Sequence, residues 1–151
     1  MREKLPYSDL TLAEALVAFR QHHGLDLKYA DMREGAKAHF ERYDMVHVLF
    51  GLDTSIRQEA QADGWTLFGT DISLRDVRDF MDLPEEKQLI KEVGWATIAK
   101  GYLRAITDYP VIAWKSRKLR RKWRWPDNAD YRSWTVARIR REFGIERALA
   151  A

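Results

Sequence analysis

Apolar residues recur at three- and four-residue steps along most of the chain, the spacing of amphipathic helices. Leu12, Leu16 and Phe19 form the first such stripe, and Thr11 with Glu14 has the pattern of a capping box. A first helix is therefore predicted from residue 8 or 11 to 23, with Gly24 as its stop. A second helical stretch covers residues 28–52. Its stripe is Tyr29, Met32, Ala36, Phe40, Tyr43, His47 and Phe50, and Gly51 ends it. Asp53 or Thr54 caps a third helix through Gln61 and beyond, which Gly64 and Gly69 interrupt or end. Ser73 starts a short helix through Phe80, closed by Pro84. A long helix is predicted over residues 85–108, with Leu89, Val93, Ala96, Ile98 and Leu103 apolar and Pro110 as a kink or break. The next stretch reads as helix to Trp125, and Pro126, Asp127 and Asn128 as a turn. The last helix spans residues 130–143, with Trp134, Val136 and Ile139 inward, and Gly144 closes it. Strand-like alternation persists nowhere. The reading is an all-α, single-domain bundle of five to seven helices over residues 1–151.

Composition agrees with that class. At 151 residues, 46% apolar and 32% charged, the chain suits one globular domain with a sizeable core. It has no cysteine, which excludes disulfides, thiolate metal sites and thiol nucleophiles. Its opening, MREKLPYSDL, lacks the apolar run of a secretory signal, and no stretch approaches the ~20 apolar residues of a membrane span. The expectation is a cytoplasmic protein, peripheral on the inner face of a membrane.

Candidate chemistry concentrates in Tyr43-Asp44-Met45-Val46-His47, followed by Gly51 and Glu59. Asp44 and His47 are three apart and share a helix face. The eleven residues between His47 and Glu59 suffice to end one helix, turn at residues 51–53 and return Glu59 alongside on an antiparallel helix. A carboxylate, an imidazole and a second carboxylate would then converge, a donor set suited to zinc or to a harder divalent ion completed by water. Such an ion could polarise an oxygen on a ring or activate water. The plainer alternative pairs Asp44 with Arg42, Lys37 or Arg57, leaving His47 as a half-buried core histidine and Glu59 on a solvated face.

The run YDMVHVLFGLDTSIRQE resembles the signature of a small helical family of ubiquinone (coenzyme Q) biosynthesis proteins, the fourth of the Coq proteins. That signature is His-Asp-x-x-His, eleven residues, then Glu, with a Gly four after the second His. Asp44, His47, Gly51 and Glu59 match it in register, and LFG at 67–69 and DYRSWTVARIRREFGI at 130–145 extend the likeness across roughly residues 30–145. The resemblance implies a role in converting a polyprenylated hydroxybenzoate by decarboxylation and hydroxylation at the ring carbon bearing the carboxylate. It implies a divalent metal, foremost zinc, on Asp44, His47 and Glu59, which would also be the catalytic residues. Tyr43 departs from the pattern, standing where the family has its first histidine. It could ligate only as phenolate, which an ordinary pKa near 10 makes demanding. His39, one turn earlier, could lean towards the same place. A relative that binds and presents the lipid without catalysis is the alternative. The implied partners are a polyprenylated ring lipid and other ubiquinone-biosynthesis proteins; association with further copies of the chain is a separate expectation.

Charge adds a second focus. Residues 111–125 hold seven Lys/Arg and no acid, leaving 19 basic against 23 acidic residues elsewhere. Trp114, Trp123 and Trp125 interleave with Lys115, Arg117, Lys118, Arg120, Arg121, Lys122 and Arg124. Tryptophan favours the water–lipid boundary, and each basic residue gains about 1 kcal/mol at an anionic leaflet. As a helix, this stretch would lie in the plane of a membrane surface. Nucleic acid is the rival partner, opposed by the acidic remainder of the chain and the lack of a recognition module. The plain alternative packs the tryptophans in the core and solvates the bases. Trp65, Trp95 and Trp134 read as core anchors, and a groove between helices 26–52 and 85–108 could hold an isoprenoid chain.

Overall fold

The computed structural model describes residues 4–151, apart from the side chains of Phe80, Leu89, Arg104 and Ala105. Leu89, expected on an apolar stripe, is thus outside the described side chains. The described residues form ten α-helices and one 3₁₀ turn, with no strand. They are α1 (Leu12–His22), α2 (Asp26–Ala30), α3 (Glu34–Phe50), α4 (Ile56–Gly69), α5 (Leu74–Met81), α6 (Pro84–Val93), α7 (Trp95–Ala105), α8 (Asp108–Ser116), α9 (Val136–Phe143) and α10 (Ile145–Ala150); the 3₁₀ turn is Ala129–Tyr131.

The all-helical class holds, and the number of helices exceeds the five to seven expected because apolar periodicity runs through breaks in the backbone. The stretch 28–52 divides where Arg33 turns extended before α3. The stretch 85–108 divides at Gly94, whose φ of 86° a side chain would oppose. The run breaks again at residues 106–107, just before Pro110. Pro110 sits in the first turn of α8, where its missing N–H costs no helical hydrogen bond. Gly64 neither interrupts nor ends α4; α8 rests on it, and a Cβ there would meet Tyr109 and Ile112 at 3.0 Å.

Local signals set the other ends. Thr11 and Glu14 form the reciprocal capping box of α1. Ser73 and Asp76 exchange backbone and side-chain hydrogen bonds at the start of α5. Gly51 adopts the left-handed conformation at the end of α3, and Gly144 does so between α9 and α10.

The core gathers Leu12, Leu16 and Phe19 of α1, Met45 to Phe50 of α3, Ala62 and Trp65 of α4, Ile112 of α8, and the buried faces of α9 and α10. Phe50 stacks on Trp65 at 4.4 Å, tying α3 to α4. Arg140 is wholly buried on α9 and closes the end of α3. Its Nε donates to the Leu49 carbonyl at 2.8 Å, its Nη2 to Val48 at 2.7 Å and its Nη1 to Ser8 Oγ at 2.8 Å. Helix ends leave carbonyls unsatisfied and carry partial negative charge, so a guanidinium there answers both needs. Burial still pulls the Arg140 pKa down to about 10.

The basic stretch is helical only to Ser116 and does not continue as helix to Trp125. Beyond it Trp123 lies extended against the end of α4. Its N–H donates to Gly69 at 2.8 Å, and its carbonyl accepts from Asp71 at 3.0 Å. Extended backbone alternates its faces, so Trp123 and Trp125 enter the core while Arg124 points to solvent. Trp123 packs against Tyr131 and Phe143.

Candidate functional site

The turn between α3 and α4 decides what the signature residues do. Gly51 reverses the chain, and Asp53 fixes the reversal. Its carboxylate accepts from Ser55 N–H at 2.8 Å, and its own N–H donates to Gln58 at 2.8 Å. Glu59 thereby returns beside α3, where its Oε2 lies 3.5 Å from His47 Nε2. His47 is only 2% exposed, between the rings of Phe19 and Tyr43. Burial lowers its affinity for a proton, but the Glu59 carboxylate, Asp44 and a backbone hydrogen bond with Leu52 together outweigh that, and the net pKa is raised.

Asp44 shares the helix but faces a different partner. Its Oδ2 accepts from Arg20 Nε at 2.7 Å in a buried ion pair. The Arg20 guanidinium lies 3.7 Å from the Tyr29 ring centroid and also reaches Glu41. None of the three bases expected from the sequence fills this place. Lys37 pairs with Glu34, and Arg57 pairs with Asp108. Burial raises the Asp44 pKa despite the opposing pull of Arg20.

Tyr43 is held as a neutral phenol. Its hydroxyl donates to Asp63 Oδ1 at 2.8 Å and lies 3.2 Å from Glu59 Oε2. Burial, reinforced by those two carboxylates, drives its pKa well above the ordinary value. The phenolate that ligation would require is therefore strongly disfavoured. Burial lowers the His39 pKa, and the charges acting on it include Arg42, Asp76 and Asp79.

Four further residues join this region. Arg20 binds Asp44. Asp63, one turn beyond Glu59, bridges Tyr43 and Tyr102, whose hydroxyl donates to the second Asp63 oxygen. Glu86 on α6 is pushed up to about 7 by burial and then by Asp63 and Glu59. The four-residue step from Glu59 was a signal for Asp63. Nothing local marks Arg20, Glu86 or Tyr102, which arrive from separate helices.

The arrangement is therefore an imidazole–carboxylate couple, His47 and Glu59, beside a tyrosine–carboxylate bridge. It can orient a polar headgroup or exchange a proton. As a ligand set it does not fit the expected metal centre. Asp44 is committed to Arg20, Tyr43 is neutral, and among the described residues no three His, Asp or Glu side chains gather at metal-binding spacing. Two hollows flank α4. One of about 210 Å³ is lined by Ile56, Arg57, Thr97, Lys100 and Gly101. Another of about 190 Å³ has Leu52, Trp65, Ile112 and Leu149 among its walls. Asp44, His47 and Glu59 line neither of them, although Ile56 is only three residues before Glu59 on α4.

Of the residues expected at a membrane surface, Trp123 and Trp125 are in the core and cannot serve there. Trp114 is exposed, with Lys118 Nζ 5.3 Å from its ring centroid. Arg121 lies over Phe143, Arg124 pairs with Asp127, and Lys115 donates to the Leu149 carbonyl. Trp65 is a core anchor and Trp134 is partly buried against the core, but Trp95 is exposed. Compared with known protein families, with curated proteins and with solved structures, the chain matches none.

Proposed function

We propose that this chain binds and presents a prenylated ring lipid of the ubiquinone pathway, with the His47–Glu59 couple as the polar end of the site. One observation carries the reading: the two positions that the signature separates by eleven residues are brought within 3.5 Å in a largely buried setting. An imidazole inclined to hold its proton, backed by a carboxylate, is suited to a ring carboxylate or phenol oxygen. The nearest hollow starts at Ile56, three residues before Glu59, and is lined by Ile56, Arg57, Thr97, Lys100 and Gly101. Cytoplasmic placement and contact with other biosynthetic proteins belong to the same reading.

Presentation is favoured over metal-dependent decarboxylation because Arg20 holds Asp44 and Tyr43 is neutral. The metal-dependent enzyme remains the second reading, supported by the approach of His47 to Glu59. It requires Asp44 to leave Arg20.

The test is mass spectrometry of lipid extracted from the purified protein, together with titration by a short-chain prenylated hydroxybenzoate. Glu59→Gln and His47→Gln should each weaken binding about tenfold or more. Metal analysis separates the two readings. A parent chain without stoichiometric divalent ion, and a Tyr43→His variant that acquires one, would support presentation. Stoichiometric metal in the parent, lost in Asp44→Ala, would replace presentation by the enzyme. A chain with no lipid, no metal and no sensitivity at His47 or Glu59 would end both.

A further inference from the structure

We infer that α7 and the start of the basic stretch form a docking face for an anionic lipid surface. The inference stands on the surface of the molecule and does not depend on the ring-lipid reading. At 3.6 residues per turn, Trp95, Ala99, Leu103 and Ile106 fall on one stripe of α7 and its C-terminal cap. That stripe faces solvent: Trp95 is 69% exposed, Leu103 70% and Ile106 59%. Gly101 lies on the opposite side of the helix and rests on Ile56 of α4. The side without a Cβ is the side that packs, which turns the apolar stripe outward.

The occupant follows from charge. Residues 95–125 hold nine Lys/Arg and a single acid, Asp108. Lys100 flanks the stripe, and Arg117 and Lys118 follow Trp114, which is itself half exposed. Tryptophan at both ends of the stretch, on α7 and on α8, with aliphatic side chains between and bases around, is a composition suited to the water–lipid boundary. A second copy of this chain is a poorer occupant. A two-fold contact would set Lys100 and the bases after Trp114 against their own copies, and like charges across an interface oppose association. Nucleic acid would use the bases and leave the stripe without a partner. Among the described residues no helix is long and apolar enough to cross a membrane, so the contact is with the surface.

The test is co-sedimentation of the full chain with vesicles of equal parts phosphatidylglycerol and phosphatidylcholine, and with phosphatidylcholine alone. Binding is expected only to the anionic vesicles, with a blue shift of tryptophan emission. Leu103→Ser and Ile106→Ser should each weaken it about tenfold. Lys100→Glu and Lys118→Glu should each weaken it about fivefold or more. All four side chains lie at the surface or its margin, and circular dichroism confirms that each variant is folded. Trp123→Phe, a core change, should leave vesicle affinity as it was. Equal binding by parent and stripe variants would overturn the proposal. So would sedimentation showing a dimer that Leu103→Ser dissolves, or retention by nucleic acid with none by anionic vesicles.

Discussion

The helices α1, α3, α9 and α10 enclose one another, whereas α7 and α8 pack on α4 and the run from α5 to α8 leaves much of its own apolar surface uncovered. In the first group Leu12, Met45, Ile139 and Phe143 are fully buried, and even a guanidinium, Arg140, is wholly enclosed and donates to Leu49, Val48 and Ser8. Among the described residues thirteen large apolar side chains are exposed, and nine of these belong to residues 74–114. Both regions have the same helical periodicity. They differ in which side of each helix meets a neighbour, so an apolar stripe states that something will cover it and leaves open whether that is protein or lipid.

Tryptophan offers the sharpest way to break this comparison. Trp123→Ala should cost about 4 kcal/mol, from lost burial and the cavity left behind, read as a lowered midpoint in urea unfolding. Trp95→Ala should change stability by less than about 0.5 kcal/mol in the same experiment. If both tryptophans cost alike, the two regions are not different.

Arg140→Met should cost about 3 kcal/mol, because Val48 and Leu49 would lose their charged donor at the end of α3. Asp44→Asn should cost about 2 kcal/mol, leaving Arg20 without a charged partner at that carboxylate.

Glu86 tests the open layer from its polar side. Its folded pKa of about 7 exceeds the ordinary 4.5, so the stability it supports is complete below pH 4.5 and is lost as pH rises through 7. Glu86→Gln should therefore be more stable than the parent by about 1 kcal/mol at pH 8, with no gain at pH 4. Thermal unfolding at the two pH values checks the sign. The gain should shrink in Asp63→Asn, since Asp63 contributes to that shift.

The sequence alone determined the helical class and the caps at Thr11, Ser73, Gly51 and Gly144, and it allowed the return of Glu59 to His47. These depend on contacts within a few residues or across one tight turn, where spacing is geometry. Tertiary structure alone decided the rest. Arg20 took Asp44 from 24 residues away, although three nearer bases were available in sequence. Trp123 and Trp125 entered the core because extended chain paired with the end of α4, in a basic stretch that periodicity allowed to be helix. Trp95 stayed outside because Gly101 turned the other side of its helix inward. In each case the outcome rests on which distant surface arrives, and a local pattern fixes a face without fixing its partner.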